Sequence, residues 1–134
     1  MLNIRAWDKL KKEMIREKDL VVDGLGKVYV LQNNRILGTH LDNTVEIMNS
    51  TMQYDINGNE VYENDICEVD NKFYIVKYYL AETAFMLFNI VDNECESLTI
   101  YDIVDKNIKV VGNVFENKDI DITEDIYINN GDIR

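Results

Sequence analysis

The residues able to do nucleophilic, acid–base or metal chemistry are few and poorly spaced. One histidine, His40, and two cysteines, Cys67 and Cys95, occur in 134 residues. A cysteine–histidine nucleophile needs a thiol to meet His40 in space, with a third group orienting the imidazole. Nothing in the spacing supports that, and His40, following Gly38-Thr39, reads as a loop residue. Cys95 lies between Glu94 and Glu96, a setting that disfavours the thiolate. Cys67, within Ile66-Cys67-Glu68-Val69, reads as a small strand residue. One histidine and two cysteines fall short of a four-ligand zinc site. Asp55, Asn57 and Asn59 occupy the first, third and fifth positions of an EF-hand-like run. The glycine needed at the sixth position is Glu60, however, and the glutamate needed at the twelfth is Ile66. The expectation is a protein without metal, cofactor or catalytic centre. A small hydrolase or nuclease built on paired carboxylates is the remaining enzymatic reading.

Charge narrows the partners. The formal net charge is −11 and the pI is about 4.4. Such a chain lacks the basic face that displaces phosphate counterions, so direct nucleic-acid binding is not expected. Docking on an anionic membrane is disfavoured for the same reason. The charge is also segregated. Residues 1–18 carry Arg5, Lys9, Lys11, Lys12, Arg16 and Lys18 against Asp8, Glu13 and Glu17, a surplus of three positive charges; the remainder carries −14. A basic segment on an acidic body can bind that body in its own chain or in a neighbour, or remain a solvated face.

The hydrophobic share, 46%, is too high for a disordered acidic tail. No stretch approaches the roughly 18 consecutive apolar residues of a membrane-crossing helix, and no signal-peptide core follows Met1–Trp7. With no paired cysteine motif, a reducing cytoplasmic location is expected. Proline is absent while Asn and Ile occur 16 times each. That codon usage points to an AT-rich bacterial or phage genome.

The elements that would position these residues are mostly strands. Over Asp8–Lys18, Trp7, Leu10 and Met14 recur at helical spacing; the competing reading is a hairpin with a strand at residues 2–7 and a return near Met14-Ile15. Val28–Leu31 reads as a short buried strand, whereas Leu41–Met48 is ambiguous. Met52–Ile56 and Asn59–Tyr62 flank Asn57-Gly58, the sequence of a two-residue type I′ hairpin turn. Strands are expected over Asp65–Val69, Lys72–Leu80, Ala84–Val91, Ile100–Val104 and Ile108–Phe115, with turns at Asp70-Asn71, Ala81–Thr83 and Asp105–Asn107. Short strands at that spacing suggest a small barrel or sandwich. Asp119-Ile120-Asp121-Ile122 and Glu124-Asp125 form an acidic alternating tail, either a strand with one apolar face or a solvated arm.

Three motifs in order resemble the YopX family of phage and prophage proteins. Ile4-Arg5-Ala6-Trp7-Asp8, followed by Lys11-Lys12 and Met14, is similar to the opening R-A-W-D motif. Met52-Gln53-Tyr54, then Asn57-Gly58-Asn59-Glu60-Val61-Tyr62-Glu63-Asn64-Asp65-Ile66, resembles the central M-Q-Y…N-G-K-E…I-Y-E-G-D-I motif. Val111-Gly112-Asn113-Val114-Phe115-Glu116-Asn117 is similar to the closing I-G-N-I-Y-E-N. The T-G-L-x-D insert that usually follows M-Q-Y is missing, and Asn64 replaces the glycine of Y-E-G-D. The resemblance implies an α+β, mainly β fold. Residues 1–50 would form a mixed α/β segment with a hairpin, and residues 51–134 an SH3-like small β-barrel with an acidic tail. It favours the strand reading of residues 2–7, and it implies no established activity.

The motif residues Arg5, Trp7, Asp8, Gln53, Tyr54, Gly58, Tyr62, Glu63, Asp65, Gly112, Asn113, Glu116 and Asn117 are therefore candidates for structural or interaction roles. Trp7 reads as a core anchor. Asp65 can hold the Tyr62–Asp65 turn, and Glu116-Asn117 can end the last strand, by side-chain to backbone hydrogen bonds. Tyr54, Tyr62, Tyr78 and Tyr79 could line a peptide groove, although aromatics at alternating strand positions more often fill a core. The expected function is a non-enzymatic, self-associating protein-interaction module, a homo-oligomer with a host or phage protein as a further partner. An acidic decoy for a basic host nucleic-acid-binding protein is the alternative.

Overall fold

The computed structural model describes residues 3–32, 35–39, 44–80, 83–89, 97–99 and 107–117. The chain divides into two compact units, residues 1–50 and 51–134. Among the described residues the only helical segment is a single 3-10 turn, Glu17–Asp19.

In the first unit, β1 (Ile4–Asp8) pairs antiparallel with β2 (Glu13–Ile15) and with the start of β6 (Val45–Tyr54). A separate three-stranded antiparallel sheet is formed by β3 (Leu20–Val22), β4 (Val28–Gln32) and β5 (Arg35–Thr39), in that order. Ala6, Leu20, Val28 and Val45 are buried together, with Ile4, Ile15, Val22, Val30 and Ile47 packed against them. The mixed α/β character expected of residues 1–50 is thus corrected to β among the described residues, and the hairpin reading of residues 8–18 holds. Trp7 and Met14, whose seven-residue spacing mimics one helix face, are instead direct cross-strand partners. Leu10 does not share their face; it stands exposed at the hairpin tip. Asp8 is the cause. Its side chain accepts the backbone N–H of Leu10 (2.9 Å) and Lys11 (3.0 Å), and its carbonyl accepts that of Lys12 (2.8 Å). Those bonds turn the chain back after one strand.

In the second unit, the end of β6 lies beside β7 (Glu60–Tyr62). A five-stranded antiparallel sheet follows, in the order β11 (Ser97–Thr99), β10 (Ala84–Asn89), β9 (Lys72–Tyr79), β8 (Asp65–Val69), β12 (Lys109–Asn113). The SH3-like barrel expected of residues 51–134 is not what these strands make. The sheet is open, with β11 and β12 as its edges among the described residues, so it lacks the closure that defines a barrel. The anticipated strand at Ile100–Val104 and the acidic tail lie outside the described residues.

The sheet is apolar on both faces, as its near-continuous hydrophobic strands require. Cys67, Val69, Tyr74, Val76 and Leu87 are buried with Val61 and Ile108 on one side. Ile66, Ile75, Met86 and Phe88 are buried on the other, with Tyr79 and Val114 against them. Register aligns the rows: Ile66 opposes Ile75, Ile75 opposes Phe88, and Val76 opposes Leu87.

Turn chemistry departs from expectation at one place and supplies it at another. Asn57-Gly58 is not a two-residue I′ turn. Gly58 alone has positive φ (79°), its N–H donates to the Asp55 carbonyl (3.0 Å), and the Asp55 N–H donates to Asn59 O (2.8 Å). This is the three-residue loop with a left-handed closing glycine. The consecutive positive φ values of a I′ turn occur instead at Asp70 (50°) and Asn71 (63°), joining β8 to β9.

Candidate interaction site

The motif residues fall into two groups. Arg5 and Trp7 are buried on β1, and Asp8 ends that strand by capping the hairpin tip. Gln53 and Tyr54 end β6; the Gln53 N–H donates to Thr51 Oγ1 (3.2 Å), while the Tyr54 side chain is exposed.

The central and closing motifs meet in space. Asp65, buried at the head of β8, accepts the Tyr62 N–H on Oδ2 (2.8 Å) across the β7–β8 turn. Asn64, at φ 70°, provides the left-handed step inside that turn, a conformation open to asparagine because its short polar side chain can bond locally. Its carbonyl accepts the Val114 N–H (3.0 Å), and its N–H donates to Val76 O (2.9 Å). The Asn64 side-chain oxygen accepts a hydrogen bond from the buried ammonium of Lys77. Glu63 is also buried, and the Tyr62 hydroxyl donates to Glu60. A glycine at position 64 would supply the turn but not the oxygen facing Lys77. The local sequence carried no signal for that pairing, since the two residues lie on different elements.

The closing motif builds its own cap. Asn113 Oδ1 accepts the N–H groups of Phe115 (3.0 Å) and Glu116 (2.9 Å), Asn117 Oδ1 accepts that of Asn113 (3.1 Å), and the Asn117 N–H returns to Asn113 O (3.0 Å). Gly112 leaves room for this. A Cβ added there would stand 2.7 Å from Asn117 Cγ and closer still to its oxygen. Replacing Gly112 by alanine is therefore expected to expel the Asn117 side chain and cost about 1–2 kcal/mol. In an Asn117→Ala background the same substitution should cost little. Chemical denaturation of the four-member cycle measures that coupling.

Two loops, one outside the motifs and one inside the central motif, share one design. Asp23-Gly24-Leu25-Gly26-Lys27 and Asp55-Ile56-Asn57-Gly58-Asn59 both follow Asp-x-x-Gly-x. In each, the Asp side chain accepts the N–H groups two and four residues on: Leu25 (2.8 Å) and Lys27 (3.0 Å), Asn57 (2.9 Å) and Asn59 (2.7 Å). Gly26 has φ 85° and Gly58 φ 79°. The backbone N–H groups of Lys27 and Leu25 hold the Asp23 carboxyl below the usual carboxylate value, aided by the Tyr29 hydroxyl at 3.0 Å. The same bond to Asp23 raises the Tyr29 hydroxyl. Asp55 is buried, and burial pushes its carboxyl up. The Val110 N–H (3.0 Å), with the groups from Asn59 and Asn57, outweighs that and holds it below its ordinary value. The repeated Asp-x-x-Gly spacing was the legible signal for these loops; the tie from Asp55 to β12 was not.

The four tyrosines do not line one groove. Tyr78 and Tyr79 are consecutive on β9 and point to opposite faces. Tyr78 meets Phe85 edge-on (5.2 Å between centroids) and Tyr79 meets Phe88 (6.1 Å). Cys67 is buried in the core; His40 and Cys95 lie outside the described residues. Among the described residues no three His, Cys, Asp or Glu side chains converge as metal ligands, and no helix is long and apolar enough to cross a membrane.

No curated protein sequence matches the chain. The fold is similar to the crystal structure of protein yopX from Bacillus subtilis, at TM-score 0.57 and 15% identity, covering 87% of this chain and 95% of that one. It is also similar to the crystal structure of protein EF1440 from Enterococcus faecalis, at TM-score 0.55 and 21% identity, covering 88% and 97%. At those identities the likeness is one of fold. The sequence itself matches the family described as YopX protein over residues 3–120, a span that holds all three motifs, and the chain belongs to the YopX family.

Proposed function

We propose that this chain is a non-enzymatic, phage- or prophage-encoded interaction module that self-associates in the cytoplasm of its bacterial host. The observation that carries the reading is the charge segregation: a surplus of three positive charges in residues 1–18 against −14 in the rest. Opposite charges on separate surfaces of one chain steer copies together and set their orientation. The motif residues support the reading: most of their side chains hold turns or sit in the core, and that of Tyr54 stands exposed at the surface. Size-exclusion chromatography with light scattering tests it. An oligomer at tens of micromolar that weakens with added salt is expected, and a strictly monomeric profile overturns it.

A second reading rests on the net charge of −11. A surface that acidic can occupy a basic nucleic-acid-binding host protein as a decoy. Pull-down from host lysate at low and high salt decides it: salt-sensitive retention of a basic protein supports the decoy, and none retained at low salt removes it.

A further inference from the structure

We propose that Asn57-Gly58 is a site of spontaneous covalent modification, where the Asn57 side chain deamidates and alters the loop that Asp55 holds. The reaction needs a side-chain amide carbonyl, an unhindered backbone nitrogen one residue on, and water. The sequence offers the pair at Asn57-Gly58 and at Asn130-Gly131, and only the first lies among the described residues. Asn57 and Gly58 are both exposed. Among the described residues Asn57 bonds only through its backbone N–H, which donates to Asp55 Oδ1 (2.9 Å), so its amide is open to attack. Gly58 has no Cβ to shield its nitrogen. Other positions fail on chemistry. The twin loop has Leu25 before Gly26, which offers no side-chain carbonyl. Asp23 precedes Gly24, but its carboxylate is engaged by Leu25, Lys27 and Tyr29, and an ionised carboxylate is a poor electrophile. Asn64 and Asn113 are buried with their side-chain oxygens already bonded.

The Gly58 nitrogen attacks Asn57 Cγ. A Cγ–N bond forms, the Cγ–Nδ2 bond breaks, and ammonia leaves with the proton that the Gly58 nitrogen gives up. Solvent water then opens the cyclic imide. Cleavage of the new Cγ–N bond leaves aspartate. Cleavage of the original peptide bond leaves isoaspartate, with the main chain routed through Cβ and Cγ. Either way, amide plus water becomes carboxylate plus ammonium, a gain of one negative charge. The fold gates this step. The Gly58 N–H donates to the Asp55 carbonyl (3.0 Å), so the nitrogen stays engaged until the loop opens. Asp55 keeps the loop closed, its carboxylate holding Asn57, Asn59 and Val110 together. The product undoes that hold. Isoaspartate places an extra main-chain atom between the N–H groups of residues 57 and 59, which Asp55 Oδ1 accepts at once (2.9 and 2.7 Å). The new carboxylate also repels that of Asp55. The tie to β12 is then lost, so the loop acts as a clock that limits the life of copies in which it opens often.

The test incubates the full chain at mildly alkaline pH and maps its peptides by mass spectrometry, which reads the amide-to-acid mass gain and separates isoaspartate from aspartate. Conversion at Asn57 is expected, at least about tenfold slower than in the urea-unfolded chain and at least about tenfold faster in Asp55→Ala than in the parent. Urea below the unfolding transition should speed the parent in the same direction, which reads the gate even where Asp55→Ala does not fold. Asn57→Gln should abolish the gain at that position. Chain isolated in the isoaspartyl form should unfold at lower urea than the parent, whereas Asn57→Asp, which adds the charge without the extra atom, should shift less. Asn57 left intact through an incubation that converts it in the unfolded chain overturns the site. Equal rates in the folded and unfolded chain overturn the gate, and an isoaspartyl chain as stable as the parent overturns the clock.

Discussion

Replacing Asp55 by alanine is expected to cost about 3 kcal/mol of stability, because four donors lose one buried acceptor. Its carboxylate takes the N–H groups of Asn57, Asn59 and Val110 and the side-chain amide of Asn59 (3.3 Å). The first two hold the loop after β6, and the third ties that loop to β12. The backbone repeats the tie, since the Ile56 N–H donates to Ile108 O (2.9 Å). Alanine leaves these part-buried N–H groups without their acceptor, and unmet donors are costlier than the bonds themselves were favourable. Asp55→Asn should cost less, about 1–2 kcal/mol, since one oxygen remains while the amide nitrogen opposes a donor. Urea denaturation of the three proteins at neutral pH measures the series.

The pH dependence has a definite sign. The Asp55 carboxyl is held below its ordinary value in the fold. Its contribution is therefore complete above the unfolded-state pKa near ~3.9 and is lost as pH falls through the lower folded-state value. The stability gap between parent and Asp55→Ala should thus close on acidification below about pH 4, and a gap that stays constant would refute this account. Asp23 shares the loop design but is only half-buried, and among the described residues its carboxylate bonds stay within its own hairpin, to Leu25, Lys27 and Tyr29. Asp23→Ala should therefore have the smaller effect on unfolding.

Ile75→Ala and Val76→Ala test the two-faced sheet. The residues are consecutive on β9, point to opposite sides and are both 0% exposed. Ile75 packs with Ile66, Met86 and Phe88; Val76 packs with Cys67, Tyr74 and Leu87. Each truncation removes methyl groups from packed surroundings and leaves a cavity. The isoleucine should lose about 3–4 kcal/mol and the valine about 2 kcal/mol. A sheet with one wetted face would show a large loss at only one of the two positions. Equilibrium unfolding of both variants distinguishes the cases, and a near-neutral Ile75→Ala would mean that the face carrying Ile66 and Phe88 is open to water.

Much of the second unit was legible because its signals are local. Val69-Asp70-Asn71-Lys72 puts turn formers between β-branched and aromatic runs, and β8 and β9 begin and end within a residue of the expected bounds. Family membership was also readable, since three ordered motifs span residues 4–117, inside the stretch 3–120 that matches the family. The N-terminal element was ambiguous for a physical reason. Trp7, Leu10 and Met14 satisfy a helical period, and a hairpin of this length places Trp7 opposite Met14 just as well. The outcome rests on Asp8 capping the tip and on β6 pairing with β1 from 37 to 45 residues away, Ile4 opposite Asn49 and Asp8 opposite Val45.

The residues whose types could carry chemistry have modest parts in the fold. Cys67 fills a core position, and the Asp55-x-Asn57-x-Asn59 run that resembles a cation loop is a hairpin loop whose aspartate is committed to backbone N–H groups. Residue order and composition determined the family, the acidic character, the charge segregation and most strand positions, because each depends on the residue itself or on near neighbours. Only the tertiary structure decided that Lys77 meets Asn64, that Asp55 ties its loop to β12, that Gly112 makes room for Asn117 and that Leu10 projects from a capped tip. The first two arise where strands distant in sequence are brought together by long-range pairing and burial, energies that no local window contains. The last two are local contacts whose geometry only the folded backbone sets.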